Sequence, residues 1–147
     1  MHSVDGRTVI DVMDQKTVMI TEEPDICSAR QLGRDLALRA GFASGDQTVI
    51  DVVISEIGRN ILSFAGRGQI TLRAESDGDE PSIVVVACDH GPGIPDVARA
   101  LQEGFSTSGG NGLGLAGARR LMDAFELVSV PGEGTTVTMK KWRRRHA

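Results

Sequence analysis

A run of short-chain apolar residues, Ile83-Val84-Val85-Val86-Ala87-Cys88, leads directly into Asp89-His90-Gly91-Pro92-Gly93-Ile94-Pro95. An apolar block of this length bounded by turn residues reads as a buried strand. The chain must therefore wrap a sheet around it and deliver an acid to its end. A carboxylate there lies at a pocket floor, and Gly-x-Gly behind it lets the backbone approach a flat ring, because glycine has no Cβ. A second run, Gly109-Gly110-Asn111-Gly112-Leu113-Gly114-Leu115, opens a predicted helix over Leu113 to Phe125. Amides exposed at a helix N-terminus attract phosphate through unpaired donors and the helix dipole. Each run alone is equally an ordinary turn or loop. Together, one fits a base and the other a phosphate chain.

A third element lies upstream, in Ser55-Glu56-Ile57-Gly58-Arg59-Asn60. On a helix, Glu56 and Asn60 are four apart and share a face. By themselves they are also what a solvated helix flank looks like. The order Glu-x-x-x-Asn, Asp-x-Gly-x-Gly, glycine-rich lid and Gly134-Thr135 resembles the GHKL ATPase/kinase superfamily with its Bergerat fold. Ala29-Arg30-Gln31-Leu32-Gly33-Arg34, Gly91 to Asp96, Gly104-Phe105-Ser106-Thr107-Ser108-Gly109-Gly110 and Arg120-Leu121-Met122-Asp123 look like the RsbT-type switch kinases within it. The resemblance runs from about Thr17 to Trp142.

The resemblance implies roles residue by residue. Asp89 would accept a hydrogen bond from the exocyclic amine of adenine, a group guanine replaces with a carbonyl. Gly91, Gly93 and Ile94 would border the ring, and Thr135 would lie near the base. Asn60 would offer its amide oxygen to Mg²⁺, which prefers hard oxygen ligands. Amides of Gly110, Gly112, Leu113, Gly114 and Leu115 would wrap the phosphates of ATP. Residues 100–118 contain no Lys or Arg, so Mg²⁺ and backbone dipoles would meet most of the phosphate charge, with Arg59 or Arg119 as neighbouring cations. Glu56 is the general base implied, acting on a substrate hydroxyl in a kinase or on water in an ATPase. No Gly-x-x-x-x-Gly-Lys-Ser/Thr and no His-Arg-Asp loop occurs, which excludes the P-loop and the eukaryotic protein-kinase solutions. A histidine kinase would need a phosphoacceptor histidine on a dimerising helix; His2, His90 and His146 offer none.

Elsewhere the chain alternates between strand and helix signals. Thr8 to Thr21 predicts one or two strands broken near Asp14-Gln15. Pro24-Asp25 introduces a helix with Asp25 as its cap, an apolar stripe of Ile26, Ala29, Leu32, Leu36 and Ala40, and Gly41 as its stop. Gly33 inside it lowers helix propensity by about 1 kcal/mol and would allow close packing. Gly45-Asp46 starts a second helix, ended by Gly66, that buries Ile50, Val53, Ile54, Ile57 and Ile61. Gln69 to Ala74 and Ser82 to Asp89 read as strands around a long polar loop, Glu75 to Pro81. Pro95-Asp96 begins a short helix through Leu101, and Glu103 to Asn111 reads as a mobile lid. Glu126 to Val130 and Thr135 to Lys141 form a second hairpin across Pro131-Gly132-Glu133-Gly134. The expected architecture is a two-layer α/β sandwich, helices over one face of a mixed, mostly antiparallel sheet.

At 147 residues the chain suits one domain, expected over 16–147 after an extension or first strand in 1–15. Aromatics are 3% with no Tyr, so Val, Ile, Leu and Ala must build the core. A net charge of −4 and pI near 5.3 argue against nucleic acid as a main partner. The basic run Lys140-Lys141-Trp142-Arg143-Arg144-Arg145 reads as a solvated tail closing a strand. Cys27 and Cys88 lack metal-type spacing, which suits a reduced, cytoplasmic setting. No apolar run is long enough to span a bilayer and no signal-peptide core is present, so no membrane role is expected.

By resemblance, the expected function is a serine/threonine protein kinase. Its substrates would be STAS-domain scaffold or antagonist proteins (RsbS/RsbR-like) of a bacterial stress-signalling, partner-switching module, with a PP2C-type phosphatase as a further partner. The alternative is an anti-sigma factor of the RsbW type, which holds a sigma factor and phosphorylates an anti-anti-sigma factor.

Overall fold

The computed structural model describes residues 11–78, 80–102 and 114–143. Five strands form one sheet: β1 (Asp11–Ile20), β2 (Gly68–Asp77), β3 (Glu80–Asp89), β4 (Ala124–Val130) and β5 (Gly134–Trp142). Their order is β1-β2-β3-β5-β4, and every neighbouring pair is antiparallel. The helices are α1 (Glu23–Arg39), α2 (Ser44–Phe64), α3 (Val97–Ala100) and α4 (Gly114–Leu121). The apolar strand of the sequence, β3, lies at the centre, flanked by β2 and β5.

The core lies between the helices and one sheet face. Ile26, Ala29, Leu36 and Ala37 of α1 and Ile50, Val53, Ile54, Ile57 and Ile61 of α2 meet Ile20, Ile70, Leu72, Ile83, Val85, Ala87, Val137 and Met139. Each fully buried isoleucine contributes roughly 1.5–3 kcal/mol over leaving it in water, so this aliphatic set supports the fold without tyrosine. Gly33 permits close approach of α1 to α2: a Cβ there would lie 2.4 Å from Ile54 Cδ1. Ala40 and Leu32 are only half-buried, at the margin of that contact.

Several boundaries differ from the sequence expectation. Helix α1 starts before Asp25, at Glu23. Asp25 acts from inside the first turn, where Oδ2 accepts the N–H of Thr21 at 2.9 Å, its hydroxyl at 3.0 Å and the N–H of Glu22 at 3.1 Å. These donors hold the Asp25 carboxyl below its usual range. The β1 irregularity is a register shift between Val12 and Asp14 within one strand.

The long loop expected at Glu75 to Pro81 is instead a tight hairpin, with Asp77 paired to Glu80. Its polar residues continue the ladder because none of the described helices covers the sheet's second face, and Glu75 is held there by Arg73 and Lys140. Helix α4 ends at Leu121, four residues early, and Phe125 belongs to β4. The buried Lys141 ammonium donates to the Leu121 carbonyl at 3.2 Å. Asp123 then joins the sheet, its N–H donating to the Lys140 carbonyl at 2.9 Å and its carboxylate accepting the Trp142 N–H at 2.8 Å. Among the described residues, no helix is long and apolar enough to cross a membrane.

Candidate nucleotide site

Helix α2 carries the first part of the site. Its aliphatic stripe faces the sheet, and Glu56 and Asn60 lie beside that stripe on the same side. Both are buried, at 1% and 3% exposure, rather than at a wet edge. Both Glu56 carboxylate oxygens and Asn60 Oδ1 lack a hydrogen-bond partner among the described residues. Three unpaired oxygens in a fold's interior cost free energy unless something arrives to satisfy them. Arg59 is the one cation within ion-pair reach of Glu56 among the described residues, with Nη2 3.7 Å from Oε1.

The second part is the end of β3. Asp89 is buried at 5% exposure, and its Oδ1 accepts the N–H of Gly91 at 3.0 Å and that of Thr135 at 3.3 Å. Thr135 is its cross-strand partner on β5. The Thr135 hydroxyl shares a 2.9 Å hydrogen bond with Ser129 Oγ, which accepts the N–H of Ile94 at 2.7 Å. Asp89, Gly91, Ile94 and Thr135 are thus tied into one network by Ser129. Gly93 turns the chain through a φ of +85°, and a Cβ there would sit 2.9 Å from the Val130 carbonyl oxygen. Gly134 is tighter still, with φ +130° and room for a Cβ only 2.1 Å from the Asp89 carbonyl oxygen.

The two parts adjoin. A Cβ at Gly68 would fall 2.9 Å from Ile61 Cγ2 and 3.0 Å from Asp89 Cβ, so the residue after Asn60 packs within one side-chain width of Asp89. Gly114 and Leu115, at the start of α4, are buried and α4 packs on α2. Gly110, Gly112 and Leu113, with the rest of the expected lid, lie outside the described residues. A hollow of about 230 Å³ lined by Phe64, Ile94, Pro95, Asp96, Arg99 and Ala100 opens next to Ile94. A larger one, about 450 Å³, contains none of the expected site residues. Its lining members Met19 and Cys88 alternate with core-facing Ile20 and Asp89 on their strands, which puts it on the sheet's other side.

Sequence reasoning missed Ser129. The signal was present: Phe125, Leu127 and Ser129 are the inward positions of β4, and a hydroxyl in that series needs a partner. Arg59 was noted only as a cation near phosphate, and its pairing with Glu56 follows from their i, i+3 spacing.

Residues 45–145 match the family model of the histidine kinase-, DNA gyrase B- and HSP90-like ATPases. The chain is 50% identical over 131 residues to the serine/threonine-protein kinase RsbT of Bacillus subtilis, across 89% of this chain and 98% of that protein. It is 35% identical over 103 residues to an anti-sigma F factor of Caldanaerobacter subterraneus, across 66% of this chain and 71% of that one. The solved RsbU and RsbW domains of Rv1364c from Mycobacterium tuberculosis superimpose with a TM-score of 0.58 at 20% identity, over 89% of this chain and 33% of theirs. That last likeness speaks for the fold alone. The aligned sequence, the matched family model and the shared architecture place the chain in the histidine kinase-, DNA gyrase B- and HSP90-like ATPase family, among the RsbT-type serine/threonine-protein kinases.

Proposed function

We propose that this kinase transfers the γ-phosphoryl group of ATP to a serine or threonine hydroxyl on a STAS-domain partner, within a cytoplasmic partner-switching stress-signalling module. The observation that carries the site assignment is the set of buried, unpartnered oxygens on Glu56 and Asn60, one helical turn apart. Asp89 accepts the exocyclic amine of adenine, and its two backbone donors fix Oδ1 before the base arrives. Glu56 takes the proton from the acceptor hydroxyl as the phosphoryl group moves in line. Amides of Gly110, Gly112, Leu113, Gly114 and Leu115 bind the phosphates.

Asn60 Oδ1 fits a magnesium ion, because it is a hard oxygen, buried and unpartnered. No group of three or more His, Cys, Asp or Glu side chains suited to a metal occurs among the described residues. The ion would therefore draw its remaining ligands from phosphates and water, as magnesium in nucleotide sites does. When bound, Mg²⁺ neutralises charge on the phosphate oxygens.

The test is transfer of label from [γ-³²P]ATP to a recombinant STAS-domain protein. Glu56→Gln should abolish transfer while a fluorescent ADP analogue still binds. Normal transfer by Glu56→Gln would remove Glu56 as the base. The likeness to the anti-sigma F factor keeps a second reading open, in which the chain also sequesters a sigma factor. Parallel pull-downs with a sigma factor and a STAS protein separate the two, and capture of the sigma factor alone would favour the second.

A further inference from the structure

We infer that Arg59 is a positioning residue for phosphoryl transfer, holding the Glu56 carboxylate in the place where it receives the substrate proton. The inference rests on Glu56 being the base, and extends that assignment to a residue one turn along the helix.

Glu56 is almost wholly buried, and neither oxygen has a hydrogen bond among the described residues. A buried carboxylate with no hydrogen bond has nothing to fix its terminal torsion, which is broad, so its oxygens are not aimed at an acceptor. Arg59 supplies a restraint. Its Nη2 stands 3.7 Å from Oε1, an ion-pair separation longer than a hydrogen bond. No other cation pairs with Glu56 among the described residues. The i, i+3 spacing puts both groups on one flank of α2, and that flank also carries Asn60. Arg59 is itself 38% exposed, so its guanidinium reaches from the surface into the dry part of the site. It places a fixed positive charge where a buried anion is otherwise uncompensated.

In the reaction, the acceptor oxygen bonds to the γ-phosphorus as the bond to the β,γ-bridging oxygen breaks. ADP keeps that electron pair, and the hydroxyl proton passes to the Glu56 carboxylate. The ion pair couples Arg59 to the reaction through Glu56.

The experiment compares wild type, Arg59→Gln, Arg59→Lys, Glu56→Gln and the double variant Glu56→Gln/Arg59→Gln. Each is assayed for label transfer from ATP with magnesium to a STAS-domain protein, for binding of a fluorescent ADP analogue and for thermal midpoint. Arg59→Gln should lower kcat on the order of 10- to 100-fold, as loss of an oriented base does, with the KM for ATP and the ADP affinity within about threefold of wild type. Arg59→Lys, which restores the charge, should recover most of kcat. The double variant should be no slower than Glu56→Gln alone, because the two residues act as a unit. An unchanged kcat in Arg59→Gln, a loss confined to KM, or additive losses in the double variant would each overturn the inference. Failure of the underlying reading looks different: Glu56→Gln would then transfer as wild type does, which removes the base and the role of Arg59 with it.

Discussion

Asp89 and Thr135 are cross-strand partners at the end of the β3–β5 ladder, and the Thr135 backbone N–H donates to Asp89 Oδ1 at 3.3 Å. With Gly91 supplying a second donor to the same oxygen, one oxygen is committed to the protein. In the proposed function the other accepts the adenine amine.

Asp89→Asn tests that division. The asparagine oxygen can still accept from Gly91 and Thr135, while its NH₂ replaces the free acceptor with a donor. The fold should survive. Affinity for ATP should fall about tenfold or more, ~1.4 kcal/mol, by isothermal titration. Equal affinity in wild type and variant would mean that the purine is held elsewhere.

Ser129→Ala removes the hub between Ile94 and Thr135. The half-buried Ile94 N–H loses its acceptor, and an unsatisfied buried donor costs roughly 1–3 kcal/mol. A lower urea midpoint with an unchanged slope is expected, the shift times the slope amounting to that loss of unfolding free energy, together with weaker ATP binding. Ser129→Thr keeps the hydroxyl and should lose less.

Gly134→Ala should be far more damaging. The position holds φ +130° and lies against the Asp89 carbonyl, so a methyl group must push β5 off β3 or force the backbone out of a region that only glycine visits freely. The expected cost is ~3 kcal/mol or more, read as loss of soluble protein or a strongly lowered thermal midpoint. Retention of wild-type stability would mean that the turn relaxes without strain.

The Asp25 turn makes stability depend on acid. Because the donors from Thr21 and Glu22 lower the folded-state carboxyl below its ordinary value, its contribution is fully present above the unfolded pKa, near 3.8. The contribution fades as pH falls through the folded value. Asp25→Asn should therefore destabilise the protein at pH 6 more than at pH 3 in chemical denaturation. An equal deficit at both would show that the carboxylate charge does not matter there.

Much of this architecture was readable in the chain. The Ile50-to-Ile61 stripe and the Glu56–Asn60 spacing identified α2, and the apolar block ending at Asp89 identified the central strand. Where expectation failed, two physical signals coincided or a neighbour decided. Ala118, Leu121, Met122 and Phe125 continue a helical stripe as well as α4 could ask, yet Lys141 and Asp123, close only in space, stop the helix at Leu121. Glu75 and Ser76 looked like loop because they are polar. They are strand because the bare face of the sheet accepts polar residues and Arg73 and Lys140 pair with Glu75. Glu56 and Asn60 taken alone read as a wet flank, because periodicity reports faces and not the depth of what covers them; only the other motifs turned them toward a cleft, and both are buried.

Helix α2 has no division of labour: Ile57, wholly buried, sits next to Glu56, and Ile61 next to Asn60. A slip of one residue would rotate every side chain by about 100°, exchanging grease for carboxylate at the cleft. Turnover is thus a gauge of how the interior is seated. Variants selected for phosphotransfer alone would retain that aliphatic seat, though no selection had been applied to it.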